Sequence, residues 1–79
     1  MATFRITLYG MLQTAYGSRN MEVETALPVK VEDLQRLVLS RIPACEQAVA
    51  LSFQNRLLRQ QEVLTEEANL LALPPVCGG

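Results

Sequence analysis

An α+β fold, with a mixed four- to five-stranded sheet and one main helix packed on one face, is what this sequence predicts. Three observations carry the expectation. Two N-terminal stretches alternate apolar and polar residues, the stretch from Val31 repeats its apolar residues every three to four positions, and three short apolar runs follow. In Thr3 to Tyr9, Phe4, Ile6 and Leu8 share one face while Thr3, Arg5, Thr7 and Tyr9 share the other, the period of a half-buried strand. Gly10 ends it. Turn-forming residues from Tyr16 to Asn20 then lead into Met21 to Thr25, which alternates again and reads as a second strand hairpinned to the first.

Pro28 closes that strand, and Val31, Leu34, Leu37, Val38 and Ile42 form a helical stripe expected to be core. Glu32 and Asp33 in the first turn and Arg41 in the last match the helix dipole, and Pro43 supplies the stop. Lys30 is a poor N-cap, so the helix start is fixed only to within a few residues. Val49, Leu51 and Phe53 alternate within Ala48 to Phe53, a third strand. Gln54-Asn55-Arg56 offers a turn into a short edge strand at Leu57-Leu58. Gln60 to Asn69 is polar apart from Val63 and Leu64, and Glu66 and Glu67 read there as solvated charges. The run Leu70 to Leu73, stopped by Pro74-Pro75, is the last strand. The helix covers one sheet face, so the other is open. Thr7 and Tyr9 look out from it, and a partner patch forms if the last strand lies beside the first.

The composition narrows the chemistry. With 79 residues, 49% of them hydrophobic, this is one small domain whose thin core favours a binding or carrier role over a self-contained enzyme. There is no histidine, which removes imidazole acid–base chemistry and histidine-containing metal sites. Two cysteines, Cys45 and Cys77, neither close a zinc site alone nor make a disulfide framework. Seven Lys+Arg against eight Asp+Glu give no surplus for nucleic acid, and no segment has the apolar length of a membrane span or a signal peptide's core. A cytoplasmic protein is the expectation.

The end of the chain, Pro74-Pro75-Val76-Cys77-Gly78-Gly79, is its most informative stretch. The prolines end sheet pairing and favour an extended course, and six residues reach on the order of 20 Å. Glycines without Cβ atoms let a carboxylate slide into a narrow channel. The expected division is a domain over residues 1–73 and an extended tail over 74–79. Cys77, with no cation near it in sequence to lower its pKa, reads as a bystander thiol, and Cys45 as a loop or partly buried one.

With VKVEDLQRLV at the helix and LLALPPVCGG at the end, the sequence resembles the ThiS/MoaD family of ubiquitin-like sulfur carriers, most closely the small subunits of molybdopterin synthase. The resemblance covers most of the chain and implies the β-grasp (ubiquitin-like) fold. It implies that Gly79 is adenylated by an ATP-using, E1-like enzyme and converted to a thiocarboxylate. The sulfur, supplied by a donor protein, then passes to precursor Z inside the large synthase subunit, in a heterotetramer. Gly78, Cys77, Val76, Pro75 and Pro74 would insert with the tail. Tyr9 and Leu73 match hydrophobic positions that face partners in that family, which leaves Leu70 and Ala72 pointing inward; Thr7 and Leu71 complete the expected partner interface. No catalytic residue, metal or bound cofactor is implied for this chain. Two departures stand out: Glu66-Glu67-Ala68-Asn69 replaces the family's frequent Gly-Asp-Glu turn, and Cys77 occupies a position more often small or polar. A carrier for thiamine or tRNA thiolation, and a ubiquitin-like modifier conjugated through Gly79, are the alternatives.

Overall fold

The computed structural model describes residues 1–42 and 49–73. Pro43, Cys45, Ala48 and the whole tail 74–79 lie outside the described residues, so the expectations placed on them stand as sequence readings.

The alternating segments are strands. β1 (Ala2–Leu8) buries Ala2, Phe4, Ile6 and Leu8, and β2 (Asn20–Thr25) buries Met21 and Val23. The two pair antiparallel, with Phe4 opposite Val23 and Ile6 opposite Met21, so their apolar residues share one face. β4 (Ala50–Phe53) turns through Gln54 and Asn55 into β5 (Arg56–Leu57). Both turn residues have positive φ, 52° and 65°, as the tightest two-residue hairpin requires. β7 (Asn69–Leu73) buries Leu70 and Ala72, the expected inward pair. It lies parallel to β1 and antiparallel to β4, giving a mixed five-stranded sheet in the order β2-β1-β7-β4-β5.

Three elements go beyond the sequence reading. α1 (Met11–Tyr16) fills the link between β1 and β2 and buries only Leu12, too little for a helical period to show. Gly17 closes it in the left-handed region at φ 92°, its N–H donating to the Gln13 carbonyl. The other two, β3 (Val29–Lys30) and β6 (Val63–Leu64), pair with each other as a separate ribbon. Two-residue strands carry no pattern of their own.

α2 (Val31–Arg41) is the main helix, and it buries Val31, Leu34 and Val38, with Ile42 beyond its end also buried. Leu37 does not join them. It is 36% exposed because at 3.6 residues per turn it points roughly 100° away from the stripe's centre. The weak cap at Lys30 also has a structural answer. Lys30 makes no side-chain cap; instead the Val31 and Glu32 N–H groups donate to the Glu62 and Gln60 carbonyls at 2.9 and 3.3 Å. The loop that accepts those bonds is itself fastened by Glu62, whose carboxylate accepts from the Arg59 N–H (2.6 Å) and the Arg56 guanidinium (2.8 Å). Both contacts, the Arg59 bond foremost, hold the Glu62 carboxyl below its usual pKa. At the sheet side the Gln35 amide donates to the Val49 carbonyl at 2.8 Å, tying the helix to the start of β4.

Leu34 is fully buried in the core with Phe4, Val23, Leu51 and Leu70. Leu34→Ala is expected to cost about 2–5 kcal/mol in a chemical denaturation series, the range for a Leu cavity in a packed core.

Candidate functional site

The candidate site is the sheet face that α2 leaves open. Strand register assembles it in rows. One row crosses all five strands: Asn20, Thr7, Leu71, Ser52 and Leu57 are successive partners. The next row toward the end of β7 pairs Leu73 with Ala50. The row in the opposite direction is Glu22, Arg5 and Asn69. The face is therefore apolar over the end of β7 and the β4–β5 side and polar over the starts of β1 and β7.

All four expected interface residues of the domain fall here. Thr7 and Leu71 are direct partners, half-buried, and Leu73 is half-buried in the next row. Tyr9 follows β1 and is 43% exposed, its N–H donating to the Ala72 carbonyl at 3.2 Å. Sequence reasoning missed Leu57. It is 61% exposed on the edge strand and faces out because its partner Ser52 does. Once the two-residue turn is known, that phase follows from the register, but the residues alone left the strand at Leu57-Leu58. Ser52, between Leu71 and Leu57, is only 6% exposed, so the row's centre is a shallow, closely covered floor.

The polar end is made of side chains already engaged. Arg5 Nε lies 3.6 Å from Glu22 Oε2, both exposed, a contact worth little on its own. The Thr7 hydroxyl donates to Asn20 Oδ1 at 3.4 Å. Glu67 corrects the reading of a purely solvated charge: its Oε2 accepts from the Thr3 N–H at 2.9 Å. β7 begins opposite Arg5, so the Thr3 amide has no strand partner on that side, and the carboxylate takes the place of the missing carbonyl. Glu66 stays exposed. An open cleft of about 530 Å³ lies over Thr3, Arg5, Glu22, Glu67, Ala68 and Asn69. Among the described residues no cluster of His, Cys, Asp or Glu could hold a metal ion, and no helix is long and apolar enough to cross a membrane.

The parallel pairing of β1 and β7 places Tyr9 and Leu73 at the same end of the sheet. The residues expected to carry the chemistry, Gly79 with Gly78, Cys77, Val76, Pro75 and Pro74, begin directly after Leu73 and lie outside the described residues. What the described part offers next to that segment is a surface, an apolar floor bordered by charge.

No protein-family model and no curated protein matches the chain. Solved structures do. Small archaeal modifier protein 1 of Haloferax volcanii superposes with TM-score 0.78 at 18% identity, over 96% of this chain and 100% of that one. A candidate molybdopterin converting factor subunit 1 from Pyrococcus furiosus gives TM-score 0.78, 18% identity and the same coverage. Small archaeal modifier protein 1 of Methanosarcina acetivorans gives TM-score 0.68 and 21% identity over 100% of this chain and 98% of that one. The fold is the ubiquitin-like β-grasp, with a second helix, α1, beside the main one.

Proposed function

We propose that this chain is a ubiquitin-like sulfur carrier of the ThiS/MoaD type. In this reading Gly79 becomes a thiocarboxylate that donates sulfur to precursor Z in molybdopterin biosynthesis. The observation that carries it is the continuity between β7, with Leu71 and Leu73 on the open apolar face, and the Pro-Pro-Val-Cys-Gly-Gly segment after Leu73. A docking surface sits at the root of a slender end.

The chemistry is supplied by partners. A carboxylate is a poor electrophile, so an ATP-using activating enzyme joins the Gly79 carboxylate to AMP with loss of pyrophosphate. The outer sulfur of a donor protein's persulfide then attacks the acyl carbon and AMP leaves, and a second thiol cleaves the resulting acyl disulfide, going off in a disulfide with the donor's sulfur and releasing the Gly79 thiocarboxylate. The large synthase subunit provides the base and the substrate pocket, and this chain acts as its non-catalytic partner in a heterotetramer. Its own residues do two things in this scheme. Tyr9, Thr7, Leu71, Leu73 and Leu57 hold the domain against a partner, and Gly78 keeps the tail thin where it enters. Cys77 stays a bystander, and the setting is the cytoplasm.

Modification of other proteins through Gly79 is the second reading, favoured by the two structurally similar proteins named as modifiers. Carriage of sulfur for thiamine or tRNA ranks behind, since thiamine-pathway carriers resemble this chain less at Pro74-Pro75. The intact mass of the chain recovered from its own cells under non-reducing, alkylating conditions tests the proposal. A species carrying sulfur in place of one oxygen, mapped to Gly79, is the expected result. Isopeptide-linked ladders without that species would give the lead to the modifier.

A further inference from the structure

We propose that the outer edge of β2 is a strand-addition surface for a second copy of this chain, held shut by Ser18, Arg41 and the carboxylates of Glu22 and Glu24. β2 is the end strand of the sheet, and among the described residues nothing pairs with its outer side. At six residues it is long enough to template another strand, whereas the opposite edge, β5, has only two. The odd-numbered residues of β1 turn their N–H groups away from β2, as the bonds of Thr3 to Glu67 and Tyr9 to Ala72 show, while Leu8 donates to the Arg19 carbonyl on the β2 side. By the same alternation Phe4 and Ile6 bond Val23 and Met21, so Asn20, Glu22 and Glu24 present their N–H and C=O groups outward.

Two side chains occupy that edge. The Ser18 hydroxyl donates to the Asn20 carbonyl at 3.3 Å and accepts from the Asn20 N–H at 3.4 Å, taking both edge groups of the first residue. From the last turn of α2, Arg41 Nη1 donates to the Glu22 carbonyl at 3.5 Å. A strand added to β2 would lie about 4.8 Å away, so the guanidinium stands where that strand would run. Neither bond is strong, yet each has to break before pairing can pass it. Among the described residues nothing bonds the Glu22 N–H or the backbone of Glu24, so beyond the two guards the edge retains groups able to pair.

The register says which strand fits. An antiparallel copy of β2 has to set outward-bonding residues against outward-bonding residues, and the two registers of greatest overlap are centred on Glu22 and on Val23. Both continue the apolar side of the sheet: Met21 meets Val23 of the second copy about the first centre, and Val23 meets Val23 about the second. Both also bring carboxylates together on the open face, Glu22 against Glu22 in one and Glu22 against Glu24 in the other. Like charges directly opposite one another destabilise a strand pair. A second copy therefore matches β2 in hydrogen bonding and apolar phase and is turned away by charge, with Ser18 and Arg41 in its path.

The test compares the full wild-type chain with Glu22→Thr/Glu24→Thr, with Ser18→Ala/Arg41→Ala and with all of these changes combined. Sedimentation over a concentration series, thermal midpoint and amide exchange at positions 22 and 24 are the readouts. A monomeric wild type is expected, and a combined variant that self-associates about tenfold more tightly, its exchange at both amides slowing as concentration rises. A combined variant that melts as a folded domain and sediments like the wild type overturns the inference. Association that leaves both amides exchanging as before also overturns it, since another face would then be in use. A wild type already paired through these amides would show that the edge is not shut. Should the combined variant fail to melt cooperatively, the Glu22→Thr/Glu24→Thr chain, altered only at exposed side chains, decides by the same readouts.

Discussion

Deleting Gly79 abolishes sulfur loading while the thermal midpoint of the domain stays where it was. Both halves of this expectation follow from position. Among the described residues the core runs from Ala2 to Ala72 and is already continuous before Pro74. Gly79 has no side chain, so its loss takes no apolar group away from that core. The chemistry, by contrast, needs the acyl carbon at the end of a segment of fixed reach. Without Gly79 the terminal carboxyl belongs to Gly78 and sits about 3.5 Å short of the position at which the activating enzyme presents ATP. A misplacement of that size is far beyond the tolerance of an in-line attack. Intact mass and thermal melts of the same sample check the pair. A fall in midpoint as large as that of Leu34→Ala would show instead that the tail supports the fold.

Charge placed on the apolar end of the open face is the other large effect. Leu57→Asp and Leu73→Asp are each expected to weaken binding to the activating enzyme by about 2 kcal/mol, roughly 30-fold in Kd. Burial against a partner would strip water from the new carboxylate with nothing to replace it. Leu57 is the cleaner probe, because at 61% exposure it contributes little to the domain's own core. Arg5 and Glu22, on the polar end of the same face, are exposed, and their substitution is expected to change salt dependence more than affinity. Calorimetric titration at two salt concentrations separates the cases. Unchanged affinity for both leucine variants would remove this face from the interface.

The parts of the fold legible in the residues are those whose pattern is local. Phe4, Ile6 and Leu8 announced β1, Leu70 and Ala72 took the inward phase of β7, and Val31, Leu34 and Val38 marked α2. The parts that were not legible depend on a partner far along the chain. Val29-Lys30 is a strand only because Val63-Leu64 lies against it, and the start of α2 is fixed by carbonyls of Gln60 and Glu62 rather than by a capping side chain. Leu37 illustrates another limit: periodicity places a residue near a face, and the width of the buried stripe decides whether it is covered. Glu67 is a third kind, a charge whose role as a substitute carbonyl appears only when β7 is seen to begin opposite Arg5. The open face was half legible. Tyr9, Thr7, Leu71 and Leu73 came from phase and resemblance, whereas Leu57 needed the register of β5.

The order of strands also bears on how the molecule is made. β7 lies between β1 and β4, so the β2-β1 hairpin and the β4-β5 hairpin meet only through it. A ribosome releases this strand after all the others, and until then each hairpin has an apolar flank without its neighbour. Sheet closure and the appearance of the tail root are therefore one event. A chain stalled before β7 lacks the centre of the sheet as well as Leu71 and Leu73, so the open apolar face exists only once β7 has paired with both of its neighbours.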